Sequence, residues 1–101
     1  MKAETIHVSE DLEDLIPLFM AKRHEDAAAW ADALAREDAP ALAAIGHRMK
    51  GTCASYGFAA LTEMGRELEV LAQAGSLTRA AALLEAFREY LASVRIVVVP
   101  D

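Results

Sequence analysis

The sequence predicts an all-α protein, an antiparallel up-down four-helix bundle with a short extra N-terminal helix, on three observations. Apolar residues fill 54% of the 101 positions, alanine is heavily represented, and there are three prolines and five glycines. Ala, Leu, Glu and Arg lead the helix-propensity ranking. Apolar stripes recur at helical rather than alternating spacing. The breaks between them are short and hold Pro, Gly, Asp or Ser, so consecutive helices must fold back beside one another. The length suits one domain, divided into an N-terminal extension (1–8), the bundle (9–94) and a C-terminal tail (95–101).

Taken in order, Ser9 before Glu10-Asp11-Leu12 reads as an N-cap followed by first-turn acids that suit the helix dipole. Pro17 falls inside the apolar pattern that follows. Either a short helix over 9–15 ends there and a longer one begins near Ile16, or one helix kinks. Phe19, Arg23, Asp26, Ala27, Trp30 and Leu34 then keep helical spacing, with the charged groups expected at the rim and Trp30 in the core. Asp38-Ala39-Pro40 is a capping Asp with Pro just inside the next helix. That helix runs to about residue 55 on a stripe of Leu42, Ile45, Met49, Cys53 and Tyr56, with Gly46 beside it, where a neighbour can come close. Gly57 marks a turn. A third helix over about 58–74 carries Leu61, Met64, Gly65, Leu68, Leu71 and Ala72. Gly75 caps it and Ser76 opens the fourth, on Ala80, Leu83, Leu84, Phe87, Leu91 and Val94. The β-branched run Ile96-Val97-Val98-Val99 is open to three readings: an extension of the last helix, a loosely packed tail, or pairing with another chain.

Charge and composition narrow the function classes. A formal net charge of −6 argues against nucleic acid as the main partner, because phosphate backbones attract basic stripes. The single cysteine, Cys53, excludes an intrachain disulfide and fits a reducing cytoplasm; on the apolar stripe it reads as a small core residue. No apolar run is long enough to span a bilayer, and Met1-Lys2-Ala3-Glu4-Thr5 does not open a signal peptide. Three scattered histidines and one cysteine give no metal-ligand spacing. The expectation is a cytoplasmic protein without cofactor or metal. The architecture points to a monomer, and the apolar tail is the feature that argues otherwise.

The chemistry concentrates at His47. Positions one turn before and after it, and two turns after, hold Ala43, Ala44, Lys50, Gly51 and Ala54, so nothing bulky on its own helix hides the imidazole. On a helical wheel His47 and Gly51 lie well off the apolar stripe and Lys50 at its edge. His47 is therefore expected to face solvent, where a neutral ring nitrogen is a good nucleophile. His7 and His24 have no such setting.

The run from His47 to Phe58 resembles the histidine phosphotransfer (HPt) domains of bacterial phosphorelays. Their pattern is His-x-(Leu/Met/Ile)-Lys-Gly-x-(small)-x-(small/Ser/Thr)-x-Gly-(Phe/Leu). The chain meets it without a gap through His47, Met49, Lys50, Gly51, Cys53, Ser55, Gly57 and Phe58. The resemblance covers nearly the whole chain, since such domains are four-helix bundles of about this length. It implies that His47 is a phosphoacceptor, taking a phosphoryl group from an aspartate of one response-regulator receiver domain and passing it to another. A (hybrid) histidine kinase is a further implied partner, and any Mg²⁺ would belong to the receiver.

Residue chemistry fits those roles. Phosphoryl transfer needs an in-line nucleophile and neutralisation of charge on the equatorial oxygens. Lys50, one turn from His47, can supply a compact positive charge; the competing reading is a solvated lysine. Gly51 leaves room for the phosphoryl group or a partner's backbone. Arg48 points round the helix and is given a weaker, long-range role. Gly57 serves the turn. Tyr56 and Phe58 close the core or form an apolar rim, and Thr52 and Ser55 have backbone bonds as their plain reading. Ala43, Ala44, Gly51 and Ala54 make a floor for a receiver, with Lys22 and Arg23 as one wall. Glu69, at the border of the third helix's apolar face, should come level with His47, where its carboxylate can accept the Nδ1–H bond and fix the tautomer. The competing reading pairs Glu69 with Arg66 or Gln73.

Two rival functions stand beside the relay. One is the phosphoacceptor domain of a chemotaxis-type kinase, which a glutamate at 69 resembles. A chain that opens at Met1 and ends just after one bundle weighs against it. The other is a module that binds receivers without transfer. No Gly-rich phosphate loop or Walker pattern occurs, so the chain is expected to have no ATP-dependent kinase activity of its own.

Overall fold

The computed structural model describes residues 4–100, so the first three residues of the expected extension, and Asp101, lie outside them. Four helices dominate: α1 (Ile16–Ala35), α2 (Ala39–Ser55), α3 (Ala59–Gln73) and α4 (Leu77–Ser93).

The molecule is not all-α. Thr5–Ser9 (β1) and Arg95–Val99 (β2) form a two-stranded parallel sheet, in register from Thr5↔Arg95 to Ser9↔Val99. Thr5 and His7 are exposed while Val8 is buried and Ile6 half-buried, the alternation of a strand with one face covered. The β-branched residues of β2 suit that surface. The tail thus pairs with this chain's own N-terminal segment, a fourth outcome beside the three its sequence suggested. Glu4 ties the pair to the bundle: its carbonyl accepts from the Arg95 amide at 2.8 Å, and its carboxylate accepts from the Tyr90 hydroxyl at 3.1 Å. Burial, then that carboxylate, push the Tyr90 hydroxyl well above the usual phenol range.

Between β1 and α1 the segment Glu10–Leu15 is a 3-10 helix, started by the Ser9 hydroxyl accepting from the Asp11 amide at 3.2 Å. Pro17 stands in the first turn of α1, where a missing N–H leaves no intrahelical bond unmade, and so starts a new helix. Asp38 caps α2 by accepting from the Ala41 amide at 3.0 Å, with Pro40 again in the first turn.

The three helix–helix connections share one closure. After α1, Asp38 N–H donates to Ala33 and Glu37 N–H to Leu34; after α2, Phe58 donates to Cys53 and Gly57 to Ala54; after α3, Ser76 donates to Leu71 and Gly75 to Ala72, all at 2.9–3.2 Å. This Schellman pattern needs a left-handed residue, supplied by Gly57 (φ 78°), Gly75 (φ 72°) and, against its Cβ, Glu37 (φ 53°). Asp38, Phe58 and Ser76 each close one helix and stand at the N-cap position of the next, and of the three Asp38 alone caps through its side chain. Ser76 holds the expected position, but its side chain makes no capping hydrogen bond.

The core gathers one stripe from each helix. Trp30, fully buried, stacks on Phe87 with ring centroids 5.3 Å apart and donates its indole N–H to the Ala80 carbonyl at 3.1 Å. Phe19 packs on Tyr56 (4.4 Å) and Phe58 (4.9 Å). The charged residues Arg23 and Asp26 are buried rather than at the rim. Their mutual pairing makes that possible, as buried charges demand partners. α2 and α3 make the tightest contact. A Cβ on Gly46 would stand 2.6 Å from the Gly65 carbonyl oxygen and 2.7 Å from the Glu69 amide, and one on Gly65 would stand 2.8 Å from the Gly46 oxygen.

Candidate functional site

The Gly46–Gly65 contact sets the geometry around His47. Because the two backbones meet there, a glutamate one turn beyond Gly65 reaches across α2. Glu69 Oε2 lies 3.2 Å from His47 Nδ1, and Glu69 Oε1 accepts from Lys50 Nζ at 2.8 Å. One carboxylate thereby bridges the histidine and the lysine, and neither Arg66 nor Gln73 takes it. An ionised carboxylate has no proton to give, so Nδ1 is the donor and Nε2 of the neutral ring carries the free lone pair. The His47 side chain is 73% exposed, against 18% for Glu69. The Lys50 ammonium chiefly holds the Glu69 carboxyl below the usual glutamate range, with partial desolvation opposing it and the hydrogen bond to His47 adding a smaller effect.

The other predicted residues differ in exposure. Gly51 is exposed, and a Cβ built there meets nothing within 4 Å. It lines a shallow hollow with His47, Arg48, Thr52, Ser55 and Tyr56. Ala44 is exposed, whereas Ala43 is half-buried against the core. Ala54 is exposed but borders a different hollow, with Gly57, Ala59, Thr62 and Glu63. Of the four floor residues, Ala44, Gly51 and Ala54 are thus exposed and Ala43 is partly covered. Gly57 makes the turn and Phe58 is fully buried, which places both in the fold rather than at the histidine.

The α1 side departs from expectation. Arg23 is 3% exposed: its Nε donates to Asp26 Oδ2 at 2.9 Å, its guanidinium lies 4.6 Å over the Phe19 ring, and its Nη1 points to Cys53 Sγ at 3.8 Å. So engaged, Arg23 forms no wall for a partner. Arg48 instead comes to α1, its Nη2 donating to Asp26 Oδ1 at 2.8 Å. Sequence reasoning missed Asp26 as the residue joining the two arginines. Its spacing of three from Arg23 was a signal, while its spacing from Arg48 was not. A groove of about 550 Å³ opens beside this network, lined among others by Leu18, Lys22, Arg48, Thr52 and Tyr56. Leu18, 61% exposed, is its apolar lip. Among the described residues no cluster of His, Cys, Asp and Glu is placed to hold a metal, and no helix is long and apolar enough to cross a membrane.

The site is thus an exposed histidine backed by a carboxylate on a four-helix scaffold. A family model of the Hpt domain matches residues 7–96, and the chain belongs to that family. Comparisons with curated proteins and with solved structures found no match. Membership supports a histidine phosphotransfer role in two-component signalling, where domains of this family interact with receiver domains and histidine kinases.

Proposed function

We propose that the protein relays a phosphoryl group between receiver-domain aspartates through a phosphohistidine at His47. The observation that carries this reading is the exposed ring whose Nδ1 is held by Glu69, leaving Nε2 as the free base. In the forward step the Nε2 lone pair attacks the phosphorus of an aspartyl phosphate. The P–O bond to the aspartate breaks, and its electron pair leaves with the carboxylate. The Nδ1 proton stays on the ring, where Glu69 stabilises the positive charge that develops. Lys50, anchored on Glu69, meets the equatorial oxygens, and Gly51 leaves space for the partner. Mg²⁺ belongs to the receiver. The second transfer reverses these events onto another aspartate, with docking supplying most of the acceleration by positioning. The reading takes the helices as an up-and-down antiparallel bundle, supported by short connections and by Gly46 lying level with Glu69 while Lys50 lies level with Gly65. It takes the protein as a cytoplasmic monomer without ATP-dependent kinase activity.

The test is transfer from a phosphorylated receiver, scored as acid-labile, base-stable phosphate on this chain. Label on the wild type and none on His47→Ala is the expected result. Label that persists on His47→Ala sinks the assignment. The carboxylate at 69 favours one second reading, a phosphoacceptor domain of a chemotaxis-type kinase. Label from ATP plus a candidate kinase, with none from any receiver in a panel, would select it.

A further inference from the structure

Around His47 the charges of Glu69 and Lys50 cancel, which leaves the Arg23–Asp26–Arg48 chain as the local surplus. Two guanidinium groups share one carboxylate there. Asp26, with a side chain 5% exposed, spends one oxygen on Arg23 at 2.9 Å and the other on Arg48 at 2.8 Å. Arg23 is buried and paired with Asp26, so the excess positive charge emerges at Arg48, whose side chain is 55% exposed. Arg48 lines both the hollow that contains His47 and the larger groove against α1. It sits in a chain of formal net charge −6.

From this geometry we infer that Asp26 is a positioning residue that presets Arg48 as the docking cation for an acidic rim on the incoming receiver. The inference rests on the relay reading above and adds a specificity element to it. A free arginine loses rotamer freedom when it binds; one already held by a buried carboxylate loses less, and its fork keeps further N–H groups for a partner carboxylate. Arg23 makes the anchor rigid, because Asp26 cannot turn away without leaving a buried guanidinium unpaired. The contact acts on encounter rather than on the phosphorus, so it belongs to association and its salt dependence.

The test uses the full chain and a receiver domain, loaded with acetyl phosphate, that labels the wild type. Transfer rate is measured against chain concentration at several ionic strengths. Arg48→Ala leaves Asp26 paired with Arg23, and its folding is checked by melting. It should raise KM about three- to tenfold at low salt, with kcat nearly unchanged and a shallower salt slope. Arg48→Lys keeps the charge without the fork, and should recover the salt slope but only part of the KM. Asp26→Asn, with folding checked by melting, should raise KM, and should add little on top of Arg48→Ala. Unchanged KM and salt slope in Arg48→Ala would overturn the inference, leaving Arg48–Asp26 a mere interhelical tie that moves melting alone. Full recovery by Arg48→Lys would overturn the positioning role of Asp26, and decides the matter even if Asp26→Asn fails to fold. A wild type that no receiver labels is a failure of the relay reading itself, distinct from either result.

Discussion

At the scale of single residues, the five glycines divide by what the fold asks of them, and one is left over. Gly46 and Gly65 allow two backbones to touch, Gly57 and Gly75 take left-handed turns, and Gly51 does neither. A glycine inside a helix costs about 1 kcal/mol relative to alanine, so Gly51→Ala should stabilise the isolated protein by up to about that amount. The same substitution should slow transfer to His47 by narrowing the surface a receiver must approach. Thermal melting and a transfer assay on one sample check both halves: a lower melting temperature would contradict the first, and unimpaired transfer the second. Glu69 offers a second handle. Its folded carboxyl is held below the ordinary range chiefly by Lys50, so the bridge is intact above the usual glutamate value and is lost as pH falls through the lowered one. Carboxyl NMR should show Glu69 titrating below the exposed glutamates, and Lys50→Met should move it back up. The placement of His47's neighbours was legible because helical spacing alone decides what surrounds a residue on its own helix. Glu69 was legible through the return of the next helix. Asp26 was not, because a charged residue on an apolar stripe reads as rim until the partner that neutralises it is known.

At the scale of elements, the site depends on a contact that contains no functional side chain. Gly46→Ala would place a methyl group 2.6 Å from the Gly65 oxygen, and backbone cannot yield as a flexible side chain does. Overpacking of this kind costs about 1–3 kcal/mol, and relief by separating α2 from α3 would draw Glu69 away from His47. The expected outcome is a lower melting temperature together with reduced transfer at temperatures where the variant is folded. Full transfer at those temperatures would show that the Glu69 bridge is dispensable. The helices themselves were readable from Pro17, Asp38, Pro40, Gly57 and Gly75, whose backbone chemistry acts locally. Their ends agree with the sequence because the same residues close one helix and stand at the N-cap position of the next. Glu37 escaped notice since nothing in a glutamate announces positive φ; the demand comes from the Asp38–Ala33 and Glu37–Leu34 bonds that close α1.

For the molecule as a whole, the parallel sheet is the feature the sequence concealed. Each strand is too short to show a period, and its partner lies at the far end of the chain, beyond any local pattern. Val8, 2% exposed, is its buried anchor. Val8→Ala should cost about 1–2 kcal/mol and lower melting by roughly 5–15 °C, without affecting transfer in the folded protein. An unchanged melting curve would mean that the sheet adds nothing to stability. The pairing of Thr5 with Arg95 also bears on how the protein comes into being. Each helical hairpin can close while the ribosome is still adding residues, since its contacts are near in sequence. β1 must wait with its strand edges bare until β2 has been made after all four helices. The seam between the two strands thus closes only once all four helices between them have been made, and until then the bare edge of β1 is open to pairing with another nascent chain.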